Sequence, residues 1–264
     1  MFSLQTEDLM LGYGQTTVVS GLNFSLPSGQ ITGIVGPNGC GKSTIIKALS
    51  RVLRPQSGRV LVNGRDIADI AHKELARLVG VVPQVPLLPS TFTGFEVVLM
   101  GRNPHLGLLR YESENDMRIA LSSMQATRTD HLAERRIGEL SGGEIQGVVI
   151  ARVLAQETGV ILLDEPTANL DIGRQIEVLE LMRELCEQGA TIGMVLHDLN
   201  LAARYCDRLL LLHGGQAVAY GTPAEVVTQK NIRAVYGAGS VVHCIDGLPA
   251  VLPQSGRAAK ERLM

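Results

Sequence analysis

The chain has 264 residues, 45% of them hydrophobic, and its 24 Lys and Arg against 26 Asp and Glu leave a net charge of −2. That apolar content excludes a wholly disordered chain, and the near-neutral balance argues against an affinity built on broad neutralisation of nucleic-acid phosphates. Aromatic residues make up 3% with no Trp, too few for a platform that stacks single-stranded bases.

The four cysteines, Cys40, Cys186, Cys206 and Cys244, form no CxxC pair. Their spacing writes neither a zinc site nor a disulfide framework and suits a reducing compartment. The opening MFSLQTEDLM lacks a basic segment followed by an apolar core, so no signal peptide is expected. The apolar stretch 79–100 is cut by Pro83, Pro86 and Pro89. No stretch reaches the roughly 18 apolar residues that a membrane span needs. The expectation is a soluble chain whose membrane role comes through a partner.

In chain order, 3–11 and 18–26 read as antiparallel edge pieces. ITGIVG (31–36) is a short buried strand, and 42–51 has helical spacing at Ile45, Ile46 and Leu49. Between Gly94 and Gly159 the pattern predicts helices over 95–101, 114–125 and 143–156 and no strand. VILLD (160–164), TIGMVLH (191–197) and RLLLLH (208–213) are apolar strands, with a helix over 172–188 between the first two. After Gly215 come a short strand pair, a helix from Pro223–Ala224 and an apolar VVHCI strand. SGRAAKERLM (255–264) is polar and expected to fray. Strands alternating with helices predict an α/β fold with a mainly parallel sheet, interrupted by an inserted helical lobe over about 90–158.

Three motifs carry chemistry. GPNGCGKST, from Gly36 through Pro37, Asn38, Gly39, Cys40, Gly41, Lys42 and Ser43 to Thr44, fits G-x-x-x-x-G-K-[ST] between a strand and a helix. Its glycines let backbone N–H groups turn inward around a triphosphate, and the helix start favours negative charge. Lys42 would reach the β- and γ-phosphates and the Ser43 hydroxyl would ligate Mg²⁺. VILLDEP ends an apolar strand in Asp164 and Glu165. Alone, that acidic pair fits a helix N-cap. Downstream of a phosphate loop it reads as an Mg²⁺-shell carboxylate, Asp164, and a general base, Glu165. LSGGE, with Ser141, Gly142 and Gly143, is either an ordinary Ser cap or a second anion-binding helix start. One triphosphate does not need two such starts, so the second would serve a nucleotide held by another copy.

The set of Tyr13, GPNGCGKST, Gln84, LSGGE, VILLDEP, the ANLD segment and His197 resembles the ATP-binding subunit of ABC transporters, in the order found there and over about residues 3–236. The resemblance implies a P-loop NTPase core, an antiparallel β subdomain and an inserted helical subdomain within a cassette over 1–240, followed by a short strand and tail over 241–264. It implies a head-to-tail homodimer holding two ATP molecules. Tyr13 would stack on adenine, and Gln84 would touch Mg²⁺ and the attacking water. His197 would contact the γ-phosphate, and Asp171 would cross the dimer interface. VVLMGRNPH (97–105) and the tail pattern EVVTQKNIRAVYG are similar to the group importing iron–siderophore, haem or cobalamin. In that group the segment 85–110 would face the coupling helix of a membrane permease. An extracytoplasmic binding protein would act indirectly, and the subunit would sit on the cytoplasmic face of the membrane, with no nucleic acid involved. Gly147, where the family usually carries Arg, departs from the pattern and costs a helix about 1 kcal/mol relative to Ala. Cys40 occupies a variable loop position, read as a small side chain that fits.

Overall fold

The computed structural model describes residues 3–107, 111–168, 170–237 and 239–254. Three expectations reach outside the described residues: the tail 255–264, Asn169 of the ANLD segment, and 108–110 at the end of the 85–110 segment. β1 (Leu4–Tyr13) and β2 (Thr16–Leu26) pair antiparallel. They are not edge strands of the main sheet. With β3 (Ser57–Val62) and β4 (Arg65–Asp66) they form a separate four-stranded sheet, β1 pairing β3 on its other side. β3 and β4 are joined through Asn63 and Gly64, both at positive φ, 51° and 77°. Asn-Gly is the dipeptide that a two-residue hairpin turn favours, because both central residues need left-handed backbone.

The second sheet has six strands. In spatial order they are β10 (Gln216–Gly221), β9 (Arg208–His213), β5 (Ile31–Val35), β8 (Thr191–Val195), β7 (Val160–Asp164) and β6 (Val79–Val82). All neighbours are parallel except β9 and β10. β5, β7 and β8 are buried at every residue, as a parallel sheet covered on both faces requires. Strand alternation divides them between two cores. Leu162, Val195, Leu210 and Leu212 join α1 (Lys42–Leu49) and the antiparallel sheet. Ile161, Leu163, Met194, Leu209 and Leu211 face the other way, onto Leu179 and Met182 of α6 (Ile172–Glu187). α2 (His72–Leu78) leads into β6.

A third core belongs to helices. α3 (Gly94–Leu99) runs into a 3₁₀ turn over Met100–Arg102, and α4 (Glu114–Ala126) and α5 (Gly142–Ala155) pack beside it. Thr93, Ser113 and Ser141 open these helices with capping boxes, the side chain of each bonded to a backbone N–H three residues on. Val148, Ala151 and Ala155 of α5 face this third core, while its Val149, Ile150 and Val153 face the sheet. Arg102 is buried where the helices meet, donating to Asp116 at 2.9 Å, to the Ala155 carbonyl at 2.7 Å and to Glu157 at 2.6 Å.

The C-terminal part is more regular than a single strand. After α7 (Leu199–Tyr205), α8 (Pro223–Val226) and α9 (Gln229–Tyr236), β11 (Ser240–Ile245) pairs with β12 (Leu248–Pro253) as a hairpin. Asp246 and Gly247 make its turn, again with positive φ at both. Asn200 of α7 grips the hairpin from the side: its amide donates to the Val251 carbonyl at 3.2 Å and accepts from the Val251 N–H at 2.7 Å.

Candidate functional site

The phosphate-loop motif lies where the spacing predicts, between β5 and α1. Gly36 has φ +150°, and a Cβ there would fall 2.4 Å from the Leu212 carbonyl oxygen. Gly41, the residue before α1, has φ +106°, and a Cβ would meet Val19 at 2.6 Å. Neither position accepts a side chain without moving its neighbours. No side chain caps α1, so its first N–H groups are left for an anion. Lys42 is buried and folds back over the loop, its Nζ donating to the Gly36 and Pro37 carbonyls at 2.9 Å each. An ammonium carries three donors, and the third is left for a ligand. Cys40 is buried, and burial pushes its thiol up against the opposing pull of Lys42. That setting suits an inert packing cysteine better than a reactive one.

β7 ends beside this loop. The Ser43 hydroxyl donates to Asp164 Oδ1 at 3.0 Å. Burial pushes the Asp164 carboxyl up, opposed by that hydrogen bond and reinforced by the neighbouring Glu165 charge. Glu165 sits just beyond the strand with φ +54°, a conformation uncommon for any residue with a Cβ. The twist presents its carboxylate to two partners at once: Gln84 Nε2 donates to Oε2 at 2.5 Å, and His197 Nε2 lies 2.6 Å from Oε1. Gln84 follows β6 and His197 follows β8, so the two strands flanking β7 supply the brackets for the residue at its end. Two oxygens with two lone pairs each leave acceptor capacity beyond these contacts.

A cleft of about 390 Å³ opens over these groups. Of the expected site residues it is lined by Tyr13, Asn38, Gly39, Gly41, Lys42, Ser43, Thr44, Gln84, Glu165 and His197. Gly36, Pro37, Cys40 and Asp164 belong to the same loop and strand end without lining it. Tyr13 stands at one side, 49% exposed, with Lys47 Nζ 5.9 Å from its ring centroid. Lys47 and Val18, another lining residue, carry no motif by which the sequence marks them.

Ser141, Gly142, Gly143 and Asp171 are not brought to this cleft. In the folded chain Ser141 caps α5: its hydroxyl donates to Glu144 Oε2 at 2.7 Å and accepts from the Glu144 N–H at 3.4 Å. The Ser141 backbone and hydroxyl hold the Glu144 carboxyl below the usual range. Asp171 caps α6, accepting from the Arg174 N–H at 3.0 Å. All four residues are exposed. Gly147 has a packing reason, since a Cβ there would come within 2.7 Å of Thr129 Cγ2.

The family model described as ABC transporter matches residues 19–168, more than half of the chain. The chain belongs to the ABC transporter family. It is 45% identical over 259 residues to the ferric enterobactin transport ATP-binding protein FepC of Escherichia coli (strain K12), covering 97% of this chain and 95% of that protein. It is 43% identical over 256 residues to the hemin import ATP-binding protein HmuV of Pseudomonas putida, covering 94% of this chain and 99% of that protein. Among solved structures, a metal-chelate type ABC transporter in an inward-facing conformation superposes with TM-score 0.83 at 29% identity, covering 97% of this chain and 99% of that one. A bacterial ABC transporter cassette solved as a dimer superposes with TM-score 0.75 at 27% identity, covering 83% of this chain and 98% of that one. As an ABC transporter ATP-binding subunit, the chain binds ATP and hydrolyses it to power transport. Among the described residues no helix is long and apolar enough to cross a membrane.

Proposed function

We propose that this chain is the ATPase subunit of an importer for a metal chelate: an iron–siderophore, haem or cobalamin. The observation that carries the hydrolytic part is the Glu165 carboxylate, bracketed by Gln84 and His197 at the mouth of the phosphate-loop cleft. Glu165 would orient the attacking water and take its proton, Lys42 would hold the β- and γ-phosphates, and Tyr13 would stack on the base. Ser43 and Asp164 converge two hard oxygens at 3.0 Å. Among the described residues no group of three or more His, Cys, Asp or Glu forms a metal cage. This donor set suits Mg²⁺, which takes few protein ligands and leans on substrate phosphates. Ser43 and Asp164, with Gln84 beside them, would hold the ion, whose charge would neutralise the transferring phosphoryl group.

The importer assignment rests on the similarity to ferric enterobactin and hemin transport subunits and to the metal-chelate type structural neighbour. We read the working form as a head-to-tail homodimer in which Ser141, Gly142, Gly143 and Asp171 of one copy complete the site of the other. Their exposure and their absence from the lining of the chain's own cleft support this, as does the neighbour solved as a dimer. The dimer would dock on permease subunits from the cytoplasmic side, through 85–110, with an extracytoplasmic binding protein delivering cargo. Val85 and Leu87 in that segment are 73% and 94% exposed.

Glu165→Gln tests the chemistry. Losing a general base is expected to slow ATP hydrolysis by about 10²- to 10⁴-fold while ATP still binds, and the ATP-loaded variant should elute as a dimer. A variant that turns over at the parental rate, or stays monomeric with ATP bound, counts against the proposal. A host deleted for this chain, grown with a ferric siderophore, haem or cobalamin as sole source, tests the cargo. Growth unaffected on all three would remove the chelate assignment and leave the ATPase reading standing.

A further inference from the structure

Tyr13 is the last residue of β1, and the strand end that carries it overhangs its sheet. The pairing of β1 with β3 stops at Met10 and Ser57. Beyond that pair, among the described residues, Leu11, Gly12 and Tyr13 have the β2 ladder on one side and none on the other. A two-stranded ribbon by itself is marginally stable in water, so a ring carried at its tip stays in place only if something else holds the tip.

Gln56, the residue before β3, does so. Its N–H donates to the Met10 carbonyl at 2.8 Å, continuing the line of β3. Its side chain then reaches past the last ladder pair to both strands of the overhang. Nε2 donates to the Gly14 carbonyl at 3.1 Å, and Oε1 accepts from the Thr17 hydroxyl at 3.2 Å. Gly14 follows Tyr13, and Thr17 follows Thr16, the cross-strand partner of Tyr13. The amide therefore bonds to both sides of the ribbon beside the Tyr13–Thr16 pair. Gly12 and Thr17 are paired and share one face of the ribbon, which strand alternation makes the face opposite the Tyr13 ring. Gly12 leaves room there: a Cβ would fall 2.1 Å from the Thr16 carbonyl oxygen and 2.7 Å from Gln56 Nε2. Gln56 is exposed, so its contacts hold no core together. What they fix is where the turn, and the ring beside it, stands.

We infer that Gln56 is a positioning residue for nucleotide binding, holding the β1–β2 turn so that the Tyr13 ring stands at the edge of the phosphate-loop cleft. This role depends on Tyr13 stacking on the base, as proposed above. Without the Gln56 bonds the turn samples other positions, and the base-binding arrangement is populated for only part of the time. Apparent affinity for ATP falls by that fraction, while the groups that hold the phosphates and perform hydrolysis are untouched.

Steady-state ATPase measurements on the full chain compare Gln56→Met, which keeps the length and removes both bonds, with Tyr13→Ala and with the double variant. Gln56→Met should raise KM for ATP about threefold to tenfold and leave kcat unchanged. Tyr13→Ala should also raise KM. Adding Gln56→Met to Tyr13→Ala should raise it no further, because the amide acts only through the ring. Inorganic tripolyphosphate, which has no base, should compete with ATP equally well in the parent and in Gln56→Met. A parental KM in Gln56→Met, additive effects of the two substitutions, or weaker competition by tripolyphosphate in the variant overturns the role of Gln56. A parental KM in Tyr13→Ala would instead fault the stacking reading, and the role of Gln56 with it.

Discussion

Glu165 and Gly147 show how single positions trade backbone cost for geometry. A residue with a Cβ held at positive φ costs about 1–3 kcal/mol, and the cost here turns the carboxylate toward Gln84 and His197 at once. The motif marks the residue type at 165; its backbone state depends on how β7 exits the sheet, which no local pattern encodes. Gly147 works in the opposite sense. Gly147→Ala would gain about 1 kcal/mol of helix propensity, but the new Cβ would press on Thr129. Thr129 is not free to swing aside, because it is buried and its hydroxyl donates to the Met124 carbonyl at 3.3 Å. Overpacking costs about 1–3 kcal/mol, so the net expectation is a loss of about 1 kcal/mol in urea unfolding. Adding Thr129→Ser, which removes the methyl and keeps the hydroxyl, should restore the parental value or exceed it. Strict additivity of the two substitutions would mean the contact is not the reason for the glycine.

Elements differ in how openly the chain announces them. β5, β7 and β8 are legible as short, mainly apolar runs because both faces are covered, and α4 and α5 because their buried positions repeat at helical spacing. The β3–β4 hairpin and β12 are hidden by short length, by Arg and Asp at their ends, and by Pro249 and Pro253. Prolines are tolerated in β12 because, among the described residues, its outer edge pairs with no further strand. Asn63-Gly64 and Asp246-Gly247 were the available signals for both turns. The Arg102–Asp116 anchor was legible only as two charges. Its contacts are set by packing, and they make a pH prediction. Hydrogen bonds from the Ser113 hydroxyl and backbone, aided by Arg102, lower the Asp116 carboxyl to about 2. The unfolded carboxyl titrates near 3.9, so this stabilisation is complete above that value and is lost as the pH falls through about 2. Asp116→Asn should therefore lower the urea midpoint at pH 6 and flatten its decline toward pH 2. Parallel curves for variant and parent would remove Asp116 from the acid response. Asn200→Ala should leave the sheet intact and loosen only the β11–β12 hairpin, seen as faster amide exchange at Val251 with unchanged exchange in β7 and β8.

At the scale of the whole molecule, the cleft gathers ten expected residues from four strand ends, the phosphate loop and the helix that follows it, while Ser141 and Asp171 stand outside it on two helix starts. The family motifs made the membership of each group legible. What the chain does not spell out is which copy each group serves, because that is a relation between molecules. Mixing two inactive variants tests it. Lys42→Ala should bind nucleotide poorly and Ser141→Ala should hydrolyse poorly. In a head-to-tail pair of one each, both defects fall in one site and the other site is intact. With random pairing, an equimolar mixture should recover about a quarter of the parental turnover. No recovery, with mixed dimers demonstrated, would show that Ser141 serves its own chain.

α5 has Val148, Ala151 and Ala155 among the helices and Val149, Ile150 and Val153 in the core that also holds Ile161 and Leu163 of β7. Such a helix belongs to both layers at once. A push that tilts the helical layer is delivered through interlocked side chains to the strand that ends in Asp164, with no loop in between to absorb it. In the proposed importer, a permease pressing on the outer helices would reach the strand tip through this single rod of fourteen residues.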